Sequence, residues 1–96
     1  MSFAEFKDSL GEAEPPAGLS AALAGLWHEA RGDWTGAHRA VQDEVSAEAA
    51  WVHAYLHRKE GDAGNAAYWY ARARRPRSDL PLAEEWTTIA RALLHD

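Results

Sequence analysis

The chain has 96 residues, a formal net charge of −5 at pH 7 and no cysteine. This length is typical of one small domain, and an apolar fraction of 47 % is that of an ordinary globular protein. The absence of cysteine excludes disulfides and thiolate ligands, and the acidic balance disfavours nonspecific binding to nucleic acid. The N-terminus is acidic where a signal peptide is apolar, and no stretch approaches the roughly 18 apolar residues of a membrane span. We therefore expect a cytoplasmic protein with no membrane partner.

The N-terminal region predicts one short helix followed by a linker. Ser2 and Glu5 match a capping box, in which two side chains bond reciprocally to the free backbone N–H groups of a helix start. The apolar residues that follow recur on one face and extend the predicted helix over residues 3–12. Pro15 and Pro16 then interrupt the chain, because consecutive prolines cannot continue a helix.

Residues 19–45 predict a first helical hairpin. Apolar residues recur at spacings of three and four over residues 19–30, which is the periodicity of an amphipathic helix. A Gly-Asp pair at 32–33 ends this helix and provides an N-cap for the next one. We predict that second helix over residues 34–45, with Val45 facing inward.

Residues 46–73 predict a second hairpin of the same kind. Ser46 caps a helix that continues to Glu60 and is apolar nearly all round, so we expect it to lie at the centre of the fold. Gly61-Asp62 repeats the turn, and a further amphipathic helix completes the hairpin.

A closing helix is predicted over residues 80–95. Pro81 suits the first turn of a helix, and the negative charges of Glu84 and Glu85 favour its N-terminal end. No segment shows the alternation with a period of two that indicates a strand. The sequence therefore predicts one all-α domain over residues 1–96, with about six helices.

The two hairpins form an internal repeat. Gly32-Asp33 and Gly61-Asp62 correspond at an offset of 29 residues, and helical hairpins with such a period stack because none can bury its apolar face alone. The pattern resembles the tetratricopeptide repeat (TPR), whose small and aromatic positions match Ala54, Ala66, Tyr70 and Ala73. Because the period is shorter than the roughly 34 residues of that family, we describe two TPR-like hairpins, flanked by a short N-terminal helix and a C-terminal capping helix. The tryptophan-rich stretches also look like those of a group of small bacterial proteins of unassigned function, a resemblance that supports the fold and implies no activity.

The TPR resemblance implies that the first helix of each hairpin lines a concave face that binds a peptide or protein. Tryptophan and tyrosine offer large rigid contact surfaces, and arginine grips carboxylates with a planar fork, so these residues are frequent interface anchors. In the second hairpin, the resemblance places Glu48, Trp51, Tyr55 and Arg58 on this face. We expect Trp51, Tyr55 and Arg58 to anchor the ligand. Glu48 and the exposed pair Tyr68 and Arg72 would lie at the rim. This interpretation requires Tyr55 and Arg58 to be accessible to solvent together.

Two other arrangements stay open at the level of the sequence. The helices could close into a compact bundle, in which case Trp51 would belong to the core. Alternatively, the exposed apolar ends of so short an array could be covered by a second copy of the chain in a homodimer.

The histidines predict a second kind of site. His53 and His57 lie four residues apart on one helical face, a spacing that can chelate a metal ion, and Glu60 lies about one turn further on. His28 corresponds to His57 in the repeat, and His38 is a further candidate. A metal or small-molecule site, with or without catalysis, requires three of these histidines, or two with Glu60, to converge.

No catalytic motif is present. The chain contains no nucleophile elbow, no P-loop and no glycine-rich dinucleotide fingerprint. We accordingly predict no catalytic residue and no cofactor, and an enzyme is the less expected outcome. Binding of a peptide or protein is the leading hypothesis, and the histidine site is the alternative.

Overall fold

The computed structural model describes residues 1–95, and within them it contains six α-helices and no strand. This confirms the predicted all-α fold with six helices. No helix in this part of the chain is long and apolar enough to cross a lipid bilayer. The helices are α1 (Phe3–Ser9), α2 (Ala21–Ala30), α3 (Trp34–Val41), α4 (Ala47–Lys59), α5 (Ala63–Ala73) and α6 (Leu82–Leu94).

Polar N-caps determine where most of these helices begin. A side-chain oxygen at the cap accepts a hydrogen bond from a backbone N–H that has no partner within the helix. Five helices begin in this way, after Ser2, Ser20, Asp33, Ser46 and Asp62. Gly32 and Gly61 follow α2 and α4 with φ values of 82° and 87°, a left-handed conformation that glycine adopts without strain.

Two helices end earlier than their apolar patterns predict. Helix α1 stops at Ser9 instead of residue 12, and α3 stops at Val41 instead of residue 45. The prediction that Val45 faces inward is wrong, because its side chain is 91 % exposed. Helix α3 ends at Val41, so Val45 lies in the exposed connection that precedes Ser46.

Helix α4 is the centre of the fold, as its apolar circumference predicts. Every residue from Ala49 to His57 is buried, and the helix contacts α2, α3, α5 and α6. Within the hairpins, α2 packs on α3 and α4 packs on α5. Gly25 allows the close approach of α2, because a Cβ atom there would lie 3.0 Å from Val41 Cγ1 and 3.1 Å from Val52 Cγ1.

Helix α6 closes the bundle on its other side by packing against α1, α2 and α4. Trp86 supplies the main attachment. Its indole Nε1 donates a hydrogen bond to the carbonyl oxygen of Leu26 at 3.0 Å, and its ring stacks on Phe6 with 5.8 Å between the centroids. These two contacts join α6 to α2 and α1 through one residue. A side chain of this size also buries a large apolar area, on the order of 150–250 Å².

Candidate functional site

The residues predicted to anchor a peptide do not form one open surface. Tyr55 is only 2 % exposed and Trp51 is also buried, whereas Glu48 is exposed in the first turn of α4. The expectation that Tyr55 and Arg58 are accessible together is therefore wrong. The Tyr55 hydroxyl donates to Glu29 Oε2 at 3.4 Å, and Lys59 pairs with the same buried carboxylate.

Arg58 already binds a carboxylate of its own chain. Its Nη1 donates to Glu85 Oε1 at 2.8 Å, and its Nη2 donates to the carbonyl oxygen of Leu80. The Tyr70 hydroxyl donates to the other carboxylate oxygen of Glu85. Burial, together with the negative charge of Glu85, raises the pKa of Tyr70 and keeps this hydroxyl protonated. Helix α6 thus supplies the carboxylate that Arg58 binds.

Tyr68 and Arg72 form an exposed pair on α5. The guanidinium Nη1 of Arg72 donates to the Tyr68 hydroxyl at 3.0 Å, one helical turn away. The Arg72 guanidinium carbon also lies 5.2 Å from the ring centroid of Trp69. The predicted rim residues are therefore accessible, but they contact each other and Trp69.

Three of the four predicted histidines converge into one group, the histidine cluster, which consists of His38, His53 and His57. Helix α3 supplies His38, and α4 supplies His53 and His57 from successive turns. One ring nitrogen from each residue lies within 4.8 Å of the other two. The Nε2 atoms of His38 and His53 are 3.0 Å apart, so one ring donates a hydrogen bond and the other accepts it. His28 makes other contacts: its ring lies against Trp27, and its Nδ1 is 3.9 Å from Asp33.

Two tryptophans hold the histidine cluster in place. Trp34 stacks on His38 with 4.9 Å between centroids, and its Nε1 donates to the carbonyl oxygen of Leu56 at 2.9 Å. Trp69 stacks on His53 at 3.9 Å with an interplanar angle of 13°. Sequence reasoning did not assign these tryptophans to the site. The spacing of four residues from Trp34 to His38 was an available signal, since such residues are neighbours on a helix surface.

Burial favours the neutral form of two rings of the cluster, those of His53 and His38. It lowers the pKa of His53 to about 4, and the neighbouring His38 and His57 add to this effect. Burial also lowers the pKa of His38. The charged form of an imidazole loses hydration in such an environment, so the neutral ring is favoured. A neutral imidazole carries the nitrogen lone pair that a metal ion needs.

Glu60 orients the third ring of the cluster. Its Oε1 lies 2.6 Å from Nδ1 of His57, so a proton on Nδ1 is donated to the carboxylate. Nε2 is then the nitrogen that keeps a free lone pair. Histidines that bind metal ions usually donate their second ring N–H to a carboxylate or carbonyl in this way. Nδ1 of His53, in contrast, is buried without a hydrogen-bond partner.

The spacing of the three rings suits a small transition-metal ion. Zinc binds histidine nitrogen at about 2.0–2.1 Å, and tetrahedral geometry then places two ligand nitrogens roughly 3.3 Å apart. The nitrogens of His38 and His53 are already at 3.0 Å. All three ring nitrogens lie within 4.8 Å of one another, so their separations exceed the tetrahedral value by at most roughly 1.5 Å.

No family model matches the chain, and comparisons with curated proteins and with solved structures find no match either. The fold and the site define an all-α protein with a half-buried cluster of three histidines.

Proposed function

We propose that this protein binds a divalent transition-metal ion of the Zn²⁺ type through His38, His53 and His57. The observation that carries the proposal is the convergence of three imidazoles from two helices. One ring nitrogen of each lies within 4.8 Å of the other two, so one ion could bind all three. Imidazole is a ligand for zinc, copper, iron and nickel, whereas calcium and magnesium prefer oxygen ligands. The three nitrogen donors of the cluster therefore favour the former group.

Preorganisation supports this function over a merely structural role of the histidines. Trp34 and Trp69 each cover one face of a ring, and Glu60 holds His57 from behind. A ligand set whose rings are already positioned loses little conformational entropy when an ion binds. The ion would also join α3 to α4, which are separate segments of the core.

The peptide-binding hypothesis has less support in this structure. Tyr55 and Arg58, its two required anchors, bind Glu29 and Glu85 of the same chain. A peptide would have to displace these internal contacts before it could bind both side chains, and Trp86 attaches α6, which carries Glu85, to Leu26. We therefore rank the histidine cluster first.

We also propose that the pairs α2–α3 and α4–α5 are TPR-like hairpins. Their turns are built alike, since Gly32 and Gly61 share a positive φ and Asp33 and Asp62 both cap the following helix. Gly25 on α2 provides the close helix approach that the repeat requires. The hairpins act here as the scaffold that brings His38 to α4.

The test is metal binding by protein without a polyhistidine tag, after treatment with a chelator. Zn²⁺, Ni²⁺ and Cu²⁺ are titrated by calorimetry, and thermal unfolding is followed with and without each ion. An ion at 100 times its Kd stabilises the folded state by about 2.7 kcal/mol, which raises the Tm of a domain of this size by roughly 10–20 °C.

The variants for this test are His38→Ala and the matched control His28→Ala, which removes a histidine outside the cluster. We expect one bound ion per chain in wild type and in the control. We expect His38→Ala to weaken binding by more than the roughly 10–100-fold that loss of a supporting hydrogen bond costs. Equal affinities for the two variants, or no binding of any of these ions, would refute the proposal.

A further inference from the structure

The number of donors around the histidine cluster determines what kind of metal site it can be. Among residues 1–95, the side chains that could hold an ion together with both His38 and His53 include only His57. Glu60 and Asp62 form a second possible donor group, but they share only His57 with the cluster. The His, Asp and Glu side chains of residues 1–95 therefore offer three ligands to an ion bound in the cluster.

Glu60 supports His57 through Nδ1 and would not be the fourth ligand of an ion bound at Nε2 of that ring. Its carboxylate lies 2.6 Å from Nδ1 of that ring, and the lone pairs of Nδ1 and Nε2 point away from each other across the imidazole. An ion bound at Nε2 therefore lies on the far side of the ring from Glu60. The carboxylate supports the ligand and leaves the coordination sphere of the ion incomplete.

The three rings differ in their exposure to solvent. His53 is 3 % exposed and His57 is also buried, whereas His38 is only partly buried. The cluster thus opens to solvent on the side of His38. Trp34 and Trp69 cover faces of His38 and His53, so a further ligand of the ion would lie beside aromatic rings and has to be small.

We propose that the ion in the histidine cluster keeps one exchangeable coordination position, which takes water or a small monodentate anion such as a carboxylate. This inference rests on the metal binding proposed above, and it adds that the coordination sphere of the ion is open at one position. Structural zinc sites are closed by four protein ligands, whereas sites with three protein ligands hold a water molecule or substrate in the fourth position. The positive ion in a cluster without a charged ligand attracts an anion strongly.

The experiment uses the full chain loaded with Co²⁺, whose visible absorption reports the number and type of its ligands. Sodium azide is the probe, and sodium acetate represents a carboxylate. We expect a four-coordinate spectrum in the absence of the probe. Azide should shift this spectrum with a single saturation curve, and acetate should compete with it. Azide added to metal-free protein is the blank.

Two outcomes separate this inference from the proposed function. If Co²⁺ does not bind, both fail together. If Co²⁺ binds but neither probe changes its spectrum, the metal site stands and the exchangeable position is refuted.

The variant Glu60→Gln provides a further check. It should weaken Co²⁺ binding by about 10–100-fold, as expected of a supporting residue, while the saturated spectrum and its response to azide stay the same. A change in the spectrum of saturated Glu60→Gln before azide is added would show that Glu60 is a ligand, and would overturn the inference.

Discussion

The substitution Glu85→Ala is expected to destabilise the protein strongly, because this carboxylate joins α6 to the rest of the bundle. Glu85 is 2 % exposed. It accepts hydrogen bonds from the guanidinium of Arg58 at 2.8 Å and from the buried hydroxyl of Tyr70. Alanine would leave both donors without this partner in a region that water does not reach freely.

The magnitude follows from the two donors. Removal of one partner of a buried ion pair costs about 3–5 kcal/mol, but the Arg58 side chain is 24 % exposed, so water offsets part of this cost. The unsatisfied hydroxyl of Tyr70 adds roughly 1–3 kcal/mol. We expect a total loss of about 3–4 kcal/mol in the free energy of unfolding. Glu85→Gln keeps the shape of the side chain and should cost about 1–2 kcal/mol.

The assay is urea-induced unfolding at pH 7, followed by far-ultraviolet circular dichroism. Glu84→Ala is the matched control, since the neighbouring Glu84 is exposed on the same helical turn and should cost less than about 1 kcal/mol. A double-mutant cycle of Glu85→Gln with Arg58→Met should give a coupling of about 1–3 kcal/mol.

Two results would refute this account of Glu85. One is a loss of less than about 1 kcal/mol for Glu85→Ala, the size expected for an exposed residue. The other is additivity of the Arg58 and Glu85 substitutions within about 0.5 kcal/mol, which indicates independent sites. Either result would mean that Arg58 is free to bind an external carboxylate, and the peptide hypothesis would regain support.

Stability should fall as the pH is lowered from about 6.5 to about 4, because His53 has a pKa of about 4 in the folded protein and the ordinary value of 6.5 when unfolded. Between these values the unfolded chain binds the extra proton, so the loss reaches at most roughly 3 kcal/mol. Urea unfolding of metal-free wild type and His53→Phe across this range should show a smaller loss in the variant, and parallel curves would contradict the assignment. Trp86→Phe should cost about 1–3 kcal/mol in the same assay at pH 7, because the Leu26 carbonyl loses its indole donor. A neutral result for Trp86→Phe would show that this hydrogen bond does not attach α6.

The sequence by itself determined where the helices lie. Capping residues such as Ser46 and Asp62 act within one helical turn, and Gly61 ends α4 through its own backbone conformation. These effects are local, so they can be read from neighbouring residues. The central position of α4 was also predictable, because a helix with apolar residues on every side has to be covered on every side. The premature ends of α1 and α3 were not predictable, since an apolar pattern can continue after the helix has stopped.

Only the tertiary structure decided which of the candidate residues lie close together. Whether Arg58 faces a partner or Glu85 depends on where α6 folds back, and the two residues are separated by 27 positions. The meeting of His38 with His53 likewise depends on the packing of α3 against α4. Residue types and spacing identify side chains with suitable chemistry, but contacts between helices depend on how the whole apolar surface is buried. In this protein, Trp51 and Tyr55 are buried in the core, and His38, His53 and His57 lie close together.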